Sequence, residues 1–206
     1  WLAILDGGPK LVDQRRATKR PFFSLNIAMV SRSKKYVYSL AVLTTLCLWH
    51  TLAIAEQVYL APKDFLAQVF AGAVPDPKVL WITKGLRAEA NTIMAHSKGP
   101  RRIRYWSRGT RSAWILEEIG KVKPITTGIV VDNGFIERVT VLVYRESRGW
   151  EVRHSFFTDQ FIGAQLVANR QLSRSIDGIS GATLSVSALT RLSRLALYLH
   201  EKISPG

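Results

Sequence analysis

Residues 125–144 read ITTGIVVDNGFIERVTVLVY, and this stretch decides the fold. Two runs rich in β-branched residues, Ile125 to Val131 and Ile136 to Tyr144, are typical of strands. They flank Asp132-Asn133-Gly134, and Asn and Gly tolerate the positive φ that a tight hairpin turn requires. The stretch therefore predicts a β-hairpin within a twisted antiparallel sheet.

Further elements follow on both sides of this hairpin. Alternating apolar residues predict strands over 103–106 and 112–117, and helical spacing predicts helices over 62–71 and about 86–96. The stretch 185–200 places its leucines on one face and its arginines on the other, which predicts an amphipathic helix packed on the sheet. The expected fold is a compact α+β domain: a twisted antiparallel sheet with packed helices, ending in this C-terminal helix.

The first 55 residues contain a pattern typical of a secretory signal. A basic start at Ser31 is followed by the largely apolar stretch 36–52 and by Ala53-Ile54-Ala55. We expect residues 29–55 to be a signal peptide cleaved after Ala55, or alternatively a retained membrane anchor. Either outcome places the domain outside the cytoplasmic membrane, in the periplasm. Because Met29 stands just before the basic start, residues 1–28 are interpreted as an upstream extension with no role in the fold.

The formal net charge of the sequence is +14. Residues 56–206 contain 21 Lys and Arg and 13 Asp and Glu, so the part expected to fold carries +8 of this charge. One basic cluster stands out in the folded part. Its members are Arg101, Arg102, Arg104, Arg108 and Arg111. A solvated strand face is the plainer interpretation, and a docking patch for an acidic partner or an anionic membrane is the alternative. No nucleic-acid partner is expected.

The positions of the cysteine and the histidines indicate which disulfides and metal sites the folded part can form. The single cysteine, Cys47, lies in the leader, so the folded part offers no disulfide and no cysteine-based metal site. The residues His96, His154 and His200 lack the spacing of a metal site, and no metal is predicted.

The candidate site is the segment just before the last helix, Asp177-Gly178-Ile179-Ser180-Gly181-Ala182-Thr183-Leu184-Ser185. Gly181 and Ala182 are small enough for a ligand to approach the main chain, and the following helix begins with unpaired N–H groups and a positive dipole end. A phosphate fits there, within reach of the Thr183 hydroxyl. The residues alone leave a second interpretation open, a polar turn in which Ser180, Thr183 or Ser185 caps the helix.

The segment 177–183 resembles the Asp-x-x-Ser/Thr-Gly-Ala-Thr signature of FMN-binding domains that a periplasmic flavin transferase modifies. In that family the final threonine receives FMN from FAD, with release of AMP, in a magnesium-dependent step. The resemblance implies that Thr183 carries covalent FMN, that Ser180, Gly181 and Ala182 shape the phosphate loop, and that Asp177 is recognised by the transferase.

The resemblance extends over roughly Ile125 to Leu199. It includes the strand, turn and strand around Asn133, the loop Glu146-Ser147-Arg148-Gly149, and the segment 157–163. It implies that residues 101–206 are the FMN-binding domain, after a helical N-terminal part over 56–100. Glu146 and Gln160 are weaker candidates for flavin contact, since each could equally be a surface or hairpin residue.

Related domains are the FMN-carrying subunits of the sodium-pumping NADH:quinone oxidoreductase and of the Rnf complex. The resemblance therefore implies an electron-transfer flavoprotein rather than a stand-alone enzyme, with the flavin transferase as its maturation partner and an unidentified, membrane-associated redox donor and acceptor. A stand-alone periplasmic carrier is favoured over a subunit of a membrane redox complex, because the leader looks cleavable.

Two other classes remain as alternatives. Gly178-Ile179-Ser180-Gly181-Ala182 approaches the nucleophile elbow of serine hydrolases, but Ala182 replaces the last glycine and the preceding residues 171–176 are mostly polar. The second alternative is a basic binding module with no redox role, which should stay colourless where an electron carrier should be yellow.

Overall fold

The computed structural model describes residues 57–97 and 99–204. The segments 1–28 and 29–55, interpreted above as extension and signal peptide, lie outside the described residues. The strands are β1 (Gln57–Val58), β2 (Lys78–Trp81), β3 (Arg102–Arg108), β4 (Arg111–Ile119), β5 (Pro124–Asp132) and β6 (Phe135–Tyr144). The α-helices are α1 (Pro62–Val69), α2 (Lys84–Met94), α3 (Ser155–Thr158) and α4 (Thr183–Ile203), and short 3₁₀ turns cover 150–153, 159–161 and 168–170. The predicted α+β fold with a C-terminal helix is confirmed.

The strands of the described region form one sheet in the order β1-β6-β5-β4-β3-β2, and every neighbouring pair is antiparallel. The predicted hairpin is β5–β6, and its turn residues Asn133 and Gly134 have φ of 50° and 80°. These left-handed conformations are the reason that Asn and Gly occupy the turn.

Helices cover both faces of the sheet. Successive residues of β5 alternate between the two resulting clusters: Ile129 belongs to the cluster with Leu189 and Leu192 of α4, and Val130 to the cluster with Phe65 of α1. Gly128 allows α1 to approach closely, because a Cβ at that position would lie 2.6 Å from the Phe65 ring. The C-terminal helix is thereby fixed over one face of the central strands.

The segment 56–100, expected as a helical part, contributes more than α1 and α2. It also supplies the two edge strands, since β1 pairs with β6 and β2 pairs with β3. The described residues all belong to one compact unit. None of the helices in the described part of the chain has both the length and the apolar character that crossing a bilayer requires.

Candidate functional site

The loop predicted to carry the site runs directly into α4. Residues 179–182 form a turn in which the Ala182 N–H donates to the Ile179 carbonyl oxygen at 3.0 Å, and Gly181 has φ of 80°. A positive φ at the third position of a turn is typical of glycine. Thr183 is the first residue of α4, and its side chain is exposed.

Among the described residues, no side chain caps the N-terminus of α4, whose N-cap residue is Ala182. The interpretation in which Ser180, Thr183 or Ser185 caps this helix is therefore wrong. The first intrahelical bond at this end is donated by the Val186 N–H to the Ala182 carbonyl oxygen, at 2.9 Å. The three preceding N–H groups have no intrahelical acceptor, and with the helix dipole they favour an anion at this end.

Ser185 has a different role from the capping one considered above. Its side chain is buried, and its Oγ lies 3.0 Å from the Tyr144 Oη at the end of β6. The Tyr144 hydroxyl also donates to the Arg148 carbonyl oxygen at 2.5 Å. Burial raises the pKa of Tyr144 above its ordinary value, against the opposing effect of the Ser185 hydrogen bond, so the hydroxyl keeps its proton. Tyr144 therefore ties the first turn of α4 to β6 and to the loop that follows it.

The loop after β6 packs closely against the same turn. Gly149 has φ of 82°, and a Cβ built on it would lie 2.9 Å from the Tyr144 Oη, 3.1 Å from the Ala182 Cβ and 3.3 Å from the Ser185 Oγ. Only glycine fits this position on both counts, conformation and space. Tyr144 was not predicted as a site residue, because an aromatic residue at the end of an alternating strand is typical of core packing.

Gln160 holds the beginning of the loop. Its side-chain Oε1 accepts a hydrogen bond from the Asp177 N–H at 2.7 Å. The residues just after the turn that contains Gln160 are bonded to β6. The Ile136 N–H donates to the Ala164 carbonyl oxygen, and the Gly163 N–H donates to the Ile136 carbonyl oxygen, both at 2.8 Å. Gln160 is thus brought together with the motif, as a residue that positions Asp177. The Asp177 side chain is exposed.

Glu146 follows β6 in the chain, and its side chain reaches the β4–β5 turn. Its Oε1 accepts hydrogen bonds from the backbone N–H groups of Lys121, Val122 and Lys123, at 2.6, 2.6 and 2.8 Å. Burial by itself would raise the pKa of this carboxyl, but the three bonds outweigh it and the pKa lies below its ordinary value. At least one of its carboxylate oxygens is thus engaged in holding a turn of the sheet, which corresponds to the hairpin role considered for it above.

A cavity of about 210 Å³ opens between the two loops. Its lining residues come from the segment after β6 and from the turn before α4: Ser147, Arg148, Gly149, Trp150, Glu151, Ser180 and Gly181. The Arg148 and Trp150 side chains are exposed at this place. The cavity thus combines the cation of Arg148, the carboxylate of Glu151, the Trp150 ring and the main chain of the glycine turn.

A row of aromatic rings leads away from this cavity. The ring centroids of Trp150 and His154 are 5.4 Å apart, and those of His154 and Phe156 are 6.1 Å apart. Trp150 and Phe156 are 43% and 62% exposed, and Leu184, next to Thr183, is 51% exposed. So much exposed apolar surface around one loop is typical of a binding site.

The hydrolase interpretation finds no support in this geometry. A nucleophile elbow follows a buried strand, whereas residues 173–182 contain no strand and Ser180 is exposed in a turn. A hydrolase would also need a histidine base near Ser180, and His200 is buried instead beside Ser112, with its Nδ1 2.7 Å from the Ser112 Oγ. This pair connects α4 to β4 in the core.

Comparison with protein families gives a match over this part of the chain. Residues 120–198 match the family model of the FMN-binding domain. The matched segment runs from the β4–β5 turn into α4, so it contains every site residue predicted from the sequence. No curated protein matches the chain.

Proposed function

Given that residues 120–198 belong to the FMN-binding domain family, we propose that this chain is an exported flavoprotein that carries FMN covalently on Thr183 and relays electrons in the periplasm. One observation supports the attachment more than any other. The exposed Thr183 side chain stands at the N-terminus of a 21-residue helix that no side chain caps. The family match supports FMN, and the attachment, the location and the redox role are the proposal.

The residues at this helix end suit a phosphate. The free N–H groups of the first turn of α4 point out of the helix end, where the positive end of the helix dipole also lies. Both features favour a phosphate at this place. Gly181 has no Cβ to obstruct approach to the main chain, and Arg148 adds a cation at the cavity rim. A phosphoester on the Thr183 Oγ would therefore have its negative charge stabilised by groups already in place.

Attachment from FAD is balanced without a redox step. A bond forms between the Thr183 Oγ and the phosphorus of the FMN half, the P–O bond of the anhydride breaks, AMP leaves, and the hydroxyl proton is released. Since Thr183 is exposed at the surface, a transferase could reach it. Loss of a phosphate-bound cofactor from an exported protein would then require breaking a covalent bond.

The aromatic row offers a surface for the flavin ring. Trp150 lines the cavity beside Ser180 and Gly181, and His154 and Phe156 continue the row outward. Aromatic side chains stack favourably on flat conjugated ligands. Bound FMN supplies one- and two-electron transfer. Because the Trp150 and His154 rings are inclined by 70°, one flat ligand can stack on only one of them. We propose that the flavin ring stacks on Trp150 while the end of α4 holds the phosphate.

The attachment is tested by export of the full chain in cells that contain the flavin transferase. Denaturing-gel fluorescence and intact mass would be measured for the wild type, Thr183→Ala, Thr183→Ser and the control Thr190→Ala, which lies two turns along the same helix. We expect a fluorescent band with the mass of one FMN less one water in the wild type and in the control. The band should be absent from Thr183→Ala, and partial labelling is expected for Thr183→Ser because it keeps a hydroxyl.

Other outcomes separate the remaining possibilities. A colourless wild type from transferase-competent cells would contradict the proposal and favour a basic binding module. Flavin that is bound but released on denaturation would retain the flavoprotein and remove the covalent link. Fractionation of the same cells reports the location, since a cleaved leader leaves the protein in the soluble periplasmic fraction and a retained one leaves it in the membrane fraction. The latter result would favour a subunit of a membrane redox complex.

A further inference from the structure

The sheet divides between β3 and β4. These strands pair from Arg108 and Arg111 up to Tyr105 and Trp114, and the ladder ends there. β3 continues its pairing with β2 as far as Arg102, and β4 continues with β5 through its whole length. The two strands thus separate beyond Tyr105 and Trp114, and we call the opening between them the fork.

The fork contains a cavity of about 820 Å³, far larger than the cavity between the loop after β6 and the turn before α4. Residues 102–104 of β3 form one wall and residues 115–119 of β4 form the other. Behind them, α2 and α4 contribute apolar side chains, among them Met94, Leu192 and Leu195. Leu192 lies nine residues beyond Thr183 on α4, which corresponds to about 13 Å along a helix. The fork is therefore separate from the candidate flavin site.

The wall formed by β4 presents an unpaired strand edge. Residues 115–119 bond to β5 on one side, and on the other side, toward β3, they form no ladder with any strand of the described residues. In an antiparallel sheet, alternate residues direct both their N–H and their C=O groups to the same edge. Two or three residues of 115–119 therefore offer backbone donors and acceptors to the fork. Such an edge is the template on which another extended chain can pair.

The fork is lined by three arginines, Arg87, Arg102 and Arg104, and by two carboxylates, Glu117 and Glu118. The exposed Glu117 is paired with Arg145, whose Nη1 lies 3.7 Å from its Oε1. Arg102 and Arg104 are exposed on β3, and Ile103 between them is buried toward the helices. The buried carboxylate at this place, Glu118, is already balanced, because Arg191 and His96 lie 3.2 and 2.9 Å from its two oxygens. No ion pair between described residues engages Arg102 or Arg104. The arginines thus leave a positive surface beside the unpaired edge.

We propose that the fork binds an extended segment of a partner protein, in which apolar and acidic residues alternate, by adding it as a strand to the free edge of β4. Side chains of a strand point alternately to the two faces of the sheet. One set would lie on the apolar side chains of α2 and α4, and the other would lie beside Arg102 and Arg104. Main-chain hydrogen bonds to β4 would provide affinity, and this alternation would provide specificity. The proposal assigns a role to Arg102 and Arg104, two members of the basic cluster, and does not depend on FMN attachment.

The test uses a fluorescein-labelled peptide, Val-Glu-Val-Glu-Val-Glu-Val, and a block isomer with four valines followed by three glutamates. Binding to the full chain is measured by fluorescence anisotropy, and backbone amide exchange is followed over residues 115–119. We expect saturable binding of the alternating peptide, at least tenfold tighter than binding of the isomer, and slower exchange at alternate residues of this stretch. The same result is expected with Thr183→Ala protein, so that a failure of flavin attachment is distinguishable.

Charge reversal locates the contact. Arg102→Glu and Arg104→Glu should each weaken binding at least tenfold, and Arg138→Glu, an equal charge change on β6, should change it less than twofold. Circular dichroism verifies that the exposed substitutions leave the fold intact. Absence of saturable binding, equal affinity for the isomer, or unchanged exchange at 115–119 would overturn the proposal. Displacement of the peptide by sodium dodecanoate, with no exchange protection by the peptide, would identify a lipid site instead.

Discussion

Replacing Gly149 with alanine should loosen the contact between the loop after β6 and the first turn of α4. Gly149 has φ of 82°, and a left-handed conformation costs an alanine about 1–2 kcal/mol. The new Cβ would also lie 2.9 Å from the Tyr144 Oη and 3.1 Å from the Ala182 Cβ. Crowding a packed site with one extra carbon costs about 1–3 kcal/mol. The free energy of unfolding should fall by about 2–5 kcal/mol, the sum of the two effects.

A second glycine separates these two contributions. Gly134 has φ of 80°, and a Cβ built on it would meet nothing within 4 Å. Gly134→Ala should therefore show the conformational cost alone, about 1–2 kcal/mol. Urea unfolding of the full chain is measured for both variants beside the wild type. The difference between them, about 1–3 kcal/mol, reports the crowding at Gly149.

The same two variants can be compared for the amount of flavin that each incorporates. Because the crowded atoms belong to Ala182 and Tyr144, relief of the clash would shift the turn that presents Thr183. We expect Gly149→Ala to incorporate less flavin per folded molecule than Gly134→Ala does. Equal destabilisation of the two variants, together with equal flavin content, would refute the view that this contact positions the attachment loop.

Two further predictions concern the core. Thr127 has a buried Oγ1 with no hydrogen-bond partner among the described residues, whereas the hydroxyl of its neighbour Thr126 donates to Glu117 at 2.6 Å and accepts from Arg145 at 2.9 Å. Thr127→Val should raise the free energy of unfolding by about 1 kcal/mol and Thr126→Val should lower it by about 1.5–3 kcal/mol. Urea unfolding in which both variants change stability in the same direction would contradict this. Burial lowers the pKa of His200 below 6.5, so as the pH falls the unfolded chain takes up the proton before the folded chain does. The free energy of unfolding should therefore fall below pH 6.5, by at most about 1.4 kcal/mol per pH unit, and should not depend on His200 above that pH, where it is neutral in both states. A His200→Gln variant whose free energy of unfolding changes with pH as steeply as that of the wild type between about pH 5 and 6.5 would disprove the assignment.

The central elements of the fold could be predicted from local signals. The β5–β6 hairpin is specified by its turn residues, and α4 by the spacing of its leucines, so both were identified within a few residues. The edge strands are different, because β1 has two residues and β2 has four, too few for a period to be visible. Their strand conformation depends on pairing with β6 and β3, and pairing is not encoded in a short run of sequence.

The site shows the same division. Thr183 and Gly181 could be predicted as site residues because a contiguous motif contains them, and Gln160 could be predicted only through the family resemblance, without its role. The bond from the Asp177 N–H to Gln160 and the contact between the Tyr144 and Ser185 hydroxyls join residues 17 and 41 positions apart. Interactions at such separation follow from the packing of α4 on the sheet. No spacing rule in a single sequence reports them.

The groups that fix the attachment loop are distinct from the group proposed to carry FMN. Gln160 holds Asp177, and the Tyr144 hydroxyl holds Ser185, so both ends of the loop are tied to β6 and the turns that follow it. Thr183 lies between these anchors with an exposed side chain, at a helix end that no side chain caps. The proposed attachment would gain from this arrangement, because the loop could stay in place while a transferase engaged it and after a phosphoester replaced the hydroxyl proton. Removing the hydroxyl should therefore leave the anchors undisturbed, which is why loss of flavin in Thr183→Ala would report attachment rather than misfolding.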